Sequence, residues 1–428
     1  MNLPIYVEKY IKKFADDKWK LETTSNSNYN TIVVIPALEE YDGIIKLINS
    51  LLKNDSQYLE KTLFIFVINN LASVPEQIRE NNLRSLEYLR ILMSKKKPVI
   101  NIGVVDASSK GNELPEKEGG VGLARKTGMD LALKHFNYEN GKKNLLVCLD
   151  GDCTVADNYL EVLFNIDEKI KSGYVHYRHA LPEDEEQKLA IICYEIFLRY
   201  YVLGLSVAGS PYAFHTIGST LFCDPESYVK IQGMNKRKAA EDFYFIEKLS
   251  KINEIHEIKE TTVFPSSRPS WRVPFGTGQR VNRFLNKEQD EYSLYSFKSF
   301  LVLKQWLEIF LSDNNETLYL LSKASEIKKS LHQFLVEQNF AESWNKILKN
   351  NNDPVQLLRQ KKYWFDGFRT LKLIHYLRDK EFPNEPMFDV LDEAFKYLSL
   401  EIIRRNKINN IPSIETQSNY LKRLRQFY

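Results

Sequence analysis

Cysteine is scarce in this sequence: 428 residues contain four, Cys148, Cys153, Cys193 and Cys223. Only the first two lie close together, as C-x4-C without a second matching pair, so neither a zinc site nor a disulfide framework is implied. A basic surplus is missing as well. Lys plus Arg exceeds Asp plus Glu by 59 − 56 = 3, too little to supply the positive field of a non-specific nucleic-acid binder, and no nucleic-acid partner is expected. The first residues, Met1 to Lys20, interleave acids, bases and aromatics. No basic leader followed by an apolar core is seen there, and a cytoplasmic protein is expected rather than a secreted one. The stretch Tyr200 to Cys223 carries no formal charge, but Gly204, Ser206, Gly209, Ser210, Pro211, His215 and Thr216 make it too polar for a membrane span. It reads as a packed or substrate-lining segment.

What is present describes an ordered globular chain. Hydrophobic residues make up 43% and charged residues 27%, which excludes a disordered, collagen-like or low-complexity protein. The length suits two or three domains at about 150 residues each. A short helix and linker are expected over 1–30, followed by an apolar strand, Thr31 to Ile35. Apolar residues at helical spacing run from Ile44 to Leu52, and a second strand covers Leu63 to Ile68. A third strand, Val99 to Val105, ends at Asp106, a helix covers Val121 to His135, and a fourth strand covers Leu145 to Leu149. Near-continuous apolar strands separated by helices predict an α/β domain, a mostly parallel sheet with helices on both faces. Ligands bind such sheets beyond the carboxyl ends of the strands, where this chain carries Pro36 to Glu40, Asn69-Asn70, Asp106 and Asp150-Gly151-Asp152. From Gln289 onward long amphipathic stretches predict a helical C-terminal region over 289–428. Its last segment is rich in base, with Arg404, Arg405, Lys407, Lys422, Arg423 and Arg425. It is either a solvated face packed on its own domain or a contact for anionic lipid at the inner face of a membrane.

Four features could carry chemistry. Asp150 and Asp152 flank Gly151 directly after a buried strand, and two hard carboxylates on one crevice suit Mg2+ or Mn2+; a plain D-G-D turn is the simpler alternative. Glu241-Asp242 opens an amphipathic stretch. The pair is either helix-start acid favoured by the dipole or, if pocketed, a general base at Asp242. Gly119-Gly120-Val121-Gly122, followed by Arg125-Lys126, leads into a helix whose N-terminus could hold phosphate, or is a flexible loop. Its spacing is neither a P-loop nor a dinucleotide fingerprint. Pro265 to Arg280 places Arg268, Arg272 and Arg280 in a stretch rich in Gly, Pro and Ser beside Trp271 and Phe275, suited to a diphosphate.

As a set, in this order, these features resemble the family 2 glycosyltransferases, which use the GT-A fold. The strand Val33-Val34-Ile35-Pro36-Ala37-Leu38-Glu39-Glu40 looks like that family's first signature, and the resemblance covers about residues 31–285. It implies a GT-A domain over 31–288, a nucleotide-sugar donor (a UDP or GDP sugar), Mn2+ or Mg2+, and an inverting transfer to the hydroxyl of a glycan, lipid-linked or small-molecule acceptor. By that resemblance Pro36, Ala37 and Glu39 contact the nucleotide, with Asn69, Asp106 and Arg125 as further contacts. Asp150 and Asp152 match the D-x-D metal motif, and Asp242, beside Glu241, matches the catalytic base. Arg268 and Arg272 would meet the leaving diphosphate, Tyr212, Phe214 and His215 would line the acceptor site, and His215 or His256 are candidates for another metal ligand. Arg280 to Phe284 resembles the Q-x-x-R-W element of processive members. A sugar-nucleotide nucleotidyltransferase and a catalytically silent nucleotide-binding scaffold are the competing readings. The first fares worse because Pro36 to Asp42 is acidic where such enzymes carry a glycine-rich basic loop.

Overall fold

The computed structural model describes residues 3–24, 28–95, 100–270, 276–351, 353–406 and 410–427. Two compact units are formed, one from residues 1–180 and 216–279, the other from 181–215 and 280–428.

The first unit is built on a nine-stranded sheet. Its strands are β1 (Glu22–Thr23), β2 (Thr31–Ala37), β3 (Thr62–Asn69), β4 (Asn101–Ala107), β5 (Leu145–Cys148), β6 (Thr154–Val155), β7 (Ser172–Tyr177), β8 (Leu221–Cys223) and β9 (Ile255–Phe264), in spatial order β1-β4-β3-β2-β5-β8-β7-β9-β6. The pairings β4-β3, β3-β2, β2-β5 and β7-β9 are parallel. β8 runs against both β5 and β7, so β7 and β9 point the same way as the first four. β1 and β6 are short antiparallel edges. The sheet is therefore mixed but mostly parallel in direction, as the continuous apolar strands require. Side chains alternate between its faces. Val33, Ile35, Phe64, Phe66 and Val104 pack with Ile44, Leu47, Leu86 and Leu89 from the helices Tyr41–Leu51 and Glu76–Met93. On the opposite face Val34 and Val67 meet the helix Val121–Ala132 at Gly128. Helices cover both faces, as expected.

The second unit is helical. Its aromatic core joins Tyr200, Phe297, Phe300, Trp306, Phe310, Phe340, Trp344, Trp364 and Tyr420. The helix Glu185–Val207 belongs here, although the linear reading placed 181–215 in the α/β domain and the boundary at 288. The reason is packing: Gly204 lies so close to Phe300 that a Cβ would stand 2.6 Å from its ring. Among the described residues this is the one helix long and apolar enough to cross a membrane, yet 67% of its apolar window is buried inside the protein. Within it Arg199 donates to Glu195 at 2.8 Å, and Arg425 donates to both oxygens of Glu195 at 2.7 and 2.8 Å. Arg405 pairs with Asp389 and with Asp392. Two arginines of the basic tail, Arg405 and Arg425, are thus held by acids of their own unit, as a packed face would have them. Lys407 lies outside the described residues. Tyr212 and Phe214 are buried in the same unit, Tyr212 donating to the Lys362 carbonyl at 2.7 Å, so Tyr212 serves packing.

A Cβ at Gly128 would stand 2.4 Å from Val34 Cγ1 and 2.8 Å from Val67 Cγ2. Gly128→Ala gains about 1 kcal/mol of helix propensity, but overpacking a filled interface costs about 1–3 kcal/mol. A lower urea midpoint is expected for Gly128→Ala and a lower one still for Gly128→Val. A stabilised Gly128→Ala would show that helix and sheet are not in the contact described.

Candidate functional site

The carboxyl ends of β2, β3, β4, β5 and β9 share one edge of the sheet, and the polar residues gather there. At β2, Pro36 falls just beyond Val34, the last residue paired with β5, where a missing N–H disrupts no ladder on that side. Ala37 is buried, and a Cβ at Gly151 would come within 3.2 Å of its own Cβ, so a small residue is needed. Glu39 adopts φ 57°, a left-handed conformation rare outside glycine, and its N–H donates to Asn82 Oδ1 at 2.9 Å. Asn82 in turn donates to the Asn69 carbonyl at 3.1 Å, and the Asn69 amide donates to the Ala37 and Val67 carbonyls. Asn69 thus ties strand ends together and spends its donors doing so. Asp106 accepts from the N–H groups of Ser108 and Ser109 at 3.1 and 2.9 Å and lies 3.5 Å from Arg90. Burial works against its charge, but those hydrogen bonds and Arg90 hold its carboxyl below the ordinary range. Three strand spacings separate β4 from β5, about 14 Å.

The centre of the site is Arg125. Its guanidinium donates to Asp150 Oδ1 at 2.6 Å and to Glu241 Oε1, with its side chain 2% exposed. Burial disfavours its charge, yet Asp150 and Glu241 more than offset that and raise its pKa. The metal motif and the acidic pair are 91 residues apart and are joined through this one side chain. Gly218 makes room for it, since a Cβ there would stand 3.0 Å from the guanidinium.

The glycine-rich approach to the Arg125 helix serves packing. A Cβ at Gly120 would stand 2.9 Å from Lys238 Cα, and one at Gly122 would stand 2.3 Å from the Arg237 carbonyl. The segment 235–238 therefore lies over the helix start, which corrects the idea of an open phosphate cradle there. The same segment braces the acidic pair, for Asn235 donates to the Glu241 carbonyl at 3.0 Å.

Glu241 and Asp242 open the helix Glu241–Ser250 after Ala240, which sits at φ 59°. Their roles divide. Glu241 is buried and held by Arg125, so it positions its neighbours. Asp242 keeps part of its surface exposed and accepts the Phe243 N–H at 2.7 Å. Burial of the carboxyl away from water, and then the Glu241 charge, push it up to about 7.

On the other flank of the D-x-D turn stands Arg268. β6 follows the turn and pairs with the end of β9, Thr154 opposite Phe264, which delivers the segment after β9 to Asp152. The Arg268 guanidinium donates to Glu40 Oε1 and lies 3.5 Å from Asp152 Oδ2. Glu40 is a site residue that the sequence reading quoted only as part of a strand-end signature. Its signal was the acidic doublet directly after the strand, at the start of a helix. Arg272, with Trp271 and Phe275, lies outside the described residues. Arg280 is paired with Glu291 at 2.7 Å within the second unit, as is Arg283, and the Arg280 to Phe284 segment lies in the helix Thr277–Leu285. His256 is the second residue of β9, beside Gly173 and at the opposite end of the strands from Asp152, and His215 belongs to the second unit. His256 therefore does not join the acids at the strand tips.

No group of three or more His, Cys, Asp or Glu among the described residues is arranged to hold a metal. Two carboxylates with hard oxygens are nonetheless a fitting set for Mg2+ or Mn2+ that completes its shell with water and phosphate. Arg125 takes one oxygen of Asp150, whose side chain stays 36% exposed, and Asp152 is 26% exposed. Among the described residues Asp150 and Glu241 pair with Arg125, and Glu40 and Asp152 with Arg268; Asp242 adds a further acid, and a dication would offset part of this negative charge.

No family model and no curated protein matches the chain. Among solved structures, it is similar to the mannosyltransferase PcManGT from Pyrobaculum calidifontis in complex with GDP-Man and Mn2+, at 13% identity and a TM-score of 0.37, over 87% of this chain and 90% of that one. It is also similar to residues 1–349 of S. aureus TarS in complex with UDP-GlcNAc, at 12% identity and a TM-score of 0.37, over 78% and 91%.

Replacing Arg125 leaves the buried Glu241 carboxylate without its partner beside the part-exposed Asp150, and breaking a buried pair from one side costs about 3–5 kcal/mol. Arg125→Gln is expected to lose about that much in urea unfolding, and Glu241→Gln less, because Asp150 still partners the guanidinium. Equal, small effects would mean that Arg125 does not join the two motifs.

Proposed function

We propose that the first unit is an inverting glycosyltransferase that moves a sugar from a nucleotide donor to an acceptor hydroxyl. The observation that carries this reading is the Arg125 bridge. It brings a strand-tip carboxylate pair suited to a cation and a carboxyl suited to a general base to the same place. The row of polar residues from Asp106 to Asp150 offers about 14 Å of strand ends, along which a UDP or GDP moiety would lie with its base toward Asp106 and its diphosphate toward Asp150.

In this reading Asp242 accepts the proton of the acceptor hydroxyl. The oxygen attacks the anomeric carbon from the face opposite the diphosphate, the new C–O bond forms as the bond to the leaving oxygen breaks, and the configuration inverts. A carboxyl poised near neutrality serves such a step, because it is ionised often enough to take the proton and basic enough to keep it. Arg268 would face the charge gathering on the departing diphosphate. Asp150 and Asp152 would hold a Mn2+ or Mg2+ ion, whose chemistry when bound is to lower the charge on the leaving group. Glu241 stays on Arg125 and keeps Asp242 in place. The acceptor is a glycan, a lipid-linked sugar or a small molecule. Four unpaired, buried thiols support a reducing, cytoplasmic setting.

Asp242→Asn is expected to lose about 10²- to 10⁴-fold in transfer while still binding nucleotide. This is measured with a panel of UDP and GDP sugars by donor consumption and thermal shift. Near-normal transfer by Asp242→Asn removes the base assignment. Because the folded carboxyl sits near 7 and its ordinary value is 3.8, its contribution to stability is complete below the ordinary value and is lost as pH rises through about 7. Activity needs the ionised form and rises over the same window. The rising limb of kcat/KM should therefore centre near pH 7 and move to lower pH in Glu241→Gln, which lacks the neighbouring charge. A limb that stays in place in that variant would show that another group titrates.

A further inference from the structure

Glu40, Asp152 and Arg268 form a charge cluster whose parts are held in place independently. Glu40 is buried immediately before the helix Tyr41–Leu51. The start of that helix lies hard against the D-x-D turn: a Cβ at Gly43 would stand 2.7 Å from Glu40 Oε2, 2.7 Å from the Gly151 carbonyl and 3.2 Å from Asp152 Cα. A Cβ at Gly151 would stand 3.4 Å from Glu40 Cβ. Two glycines thus let a third carboxylate reach the turn. Arg268 is brought in from the other side by the β6–β9 pairing and makes a hydrogen bond to Glu40 and an ion pair of 3.5 Å with Asp152. Its side chain is 41% exposed, so a small rotation of its stem frees it.

A guanidinium and a dication cannot both sit against Asp152 without strong repulsion. A guanidinium is also the side chain best shaped to leave a carboxylate for a phosphate, because its fork matches either partner in a bidentate way. Resting on the glycosyltransferase reading above, we propose that Arg268 guards the cation site and makes metal and nucleotide load together. Without nucleotide, Arg268 is parked on Glu40 and occupies Asp152. When a nucleoside diphosphate arrives, Arg268 moves to its phosphate oxygens and Asp152 is released to the metal. Glu40 is the positioning residue that parks the guanidinium.

The test is Mn2+ titration of the full chain by electron paramagnetic resonance, with and without UDP or GDP, in the wild type, Arg268→Gln and Arg268→Lys. Circular dichroism melts confirm that each is folded. The wild type is expected to bind Mn2+ about tenfold more tightly when nucleotide is present, and Arg268→Gln to bind it about tenfold more tightly than the wild type when nucleotide is absent. Coupling between metal and nucleotide should shrink accordingly in Arg268→Gln. Arg268→Lys, with charge but no fork, should fall between the two, and serves alone if Arg268→Gln does not fold. Unchanged or weaker Mn2+ binding by Arg268→Gln, with binding still lost in Asp152→Asn, overturns the guard and leaves the metal reading standing. No Mn2+ binding by any of the proteins, with or without nucleotide, overturns both.

Discussion

A buried guanidinium between two carboxylates sets the geometry of everything around it. Arg125 has almost no contact with water, and a charge so placed persists only if its partners are close and correctly aimed. Asp150 and Glu241 meet that demand from opposite directions, one from the end of β5, the other from the first turn of the helix after Ala240. Their mutual repulsion would open the site without the arginine, and the arginine would be too costly to bury without them. The glycines belong to the same constraint. Gly122 admits the 235–238 segment and Gly218 admits the guanidinium, so both are close approaches, of backbone to backbone at Gly122 and of backbone to charge at Gly218.

How legible each part was follows from how local its cause is. β2, β3 and β5 are buried on both faces, so their apolar runs state what they are, and the start of the Val121–Ala132 helix was read correctly because Gly119-Gly120 interrupts the pattern before it. The far half of the sheet was not legible. β8 is three residues inside an uncharged segment, β6 is two, and β9 carries Glu257, Lys259 and Glu260 on a half-exposed strand, so no period stands out. Their existence is decided by partners elsewhere in the chain. The acids of the site were visible as residue types, but their division of labour was not. Glu241 and Asp242 are neighbours in sequence with opposite fates, because only one of them points at Arg125.

The unit boundaries were illegible for a related reason. An uncharged stretch beginning at Tyr200 suggests a lining for a polar ligand, but composition does not say which neighbours it packs on. Phe300 and its aromatic companions in the C-terminal helices draw Gly204 against them, and the helix goes with its core rather than with its position in the chain. The basic tail likewise left a packed face and a lipid contact as alternatives while its acids were out of sight. Glu195, Asp389 and Asp392 neutralise Arg425 and Arg405, partners that no local pattern of charge announces.

The site's own charge is less evenly matched, and the imbalance bears on order. Among the described residues five carboxyl groups and two guanidiniums gather at the strand tips, and one of those carboxyls, Asp242, holds its proton up to about 7. A nucleoside diphosphate brings further negative charge to that place. Arriving alone it would meet net repulsion from Glu40, Asp150 and Asp152, with Arg268 the one exposed cation described beside them. A dication arriving alone would meet Arg268 at Asp152. Each ligand therefore removes the obstacle to the other: the anion draws the guanidinium away, and the cation offsets the acids. Such reciprocity is what linkage requires of two ligands that share one electrostatic deficit, and it needs no motion larger than the rotation of a single long side chain.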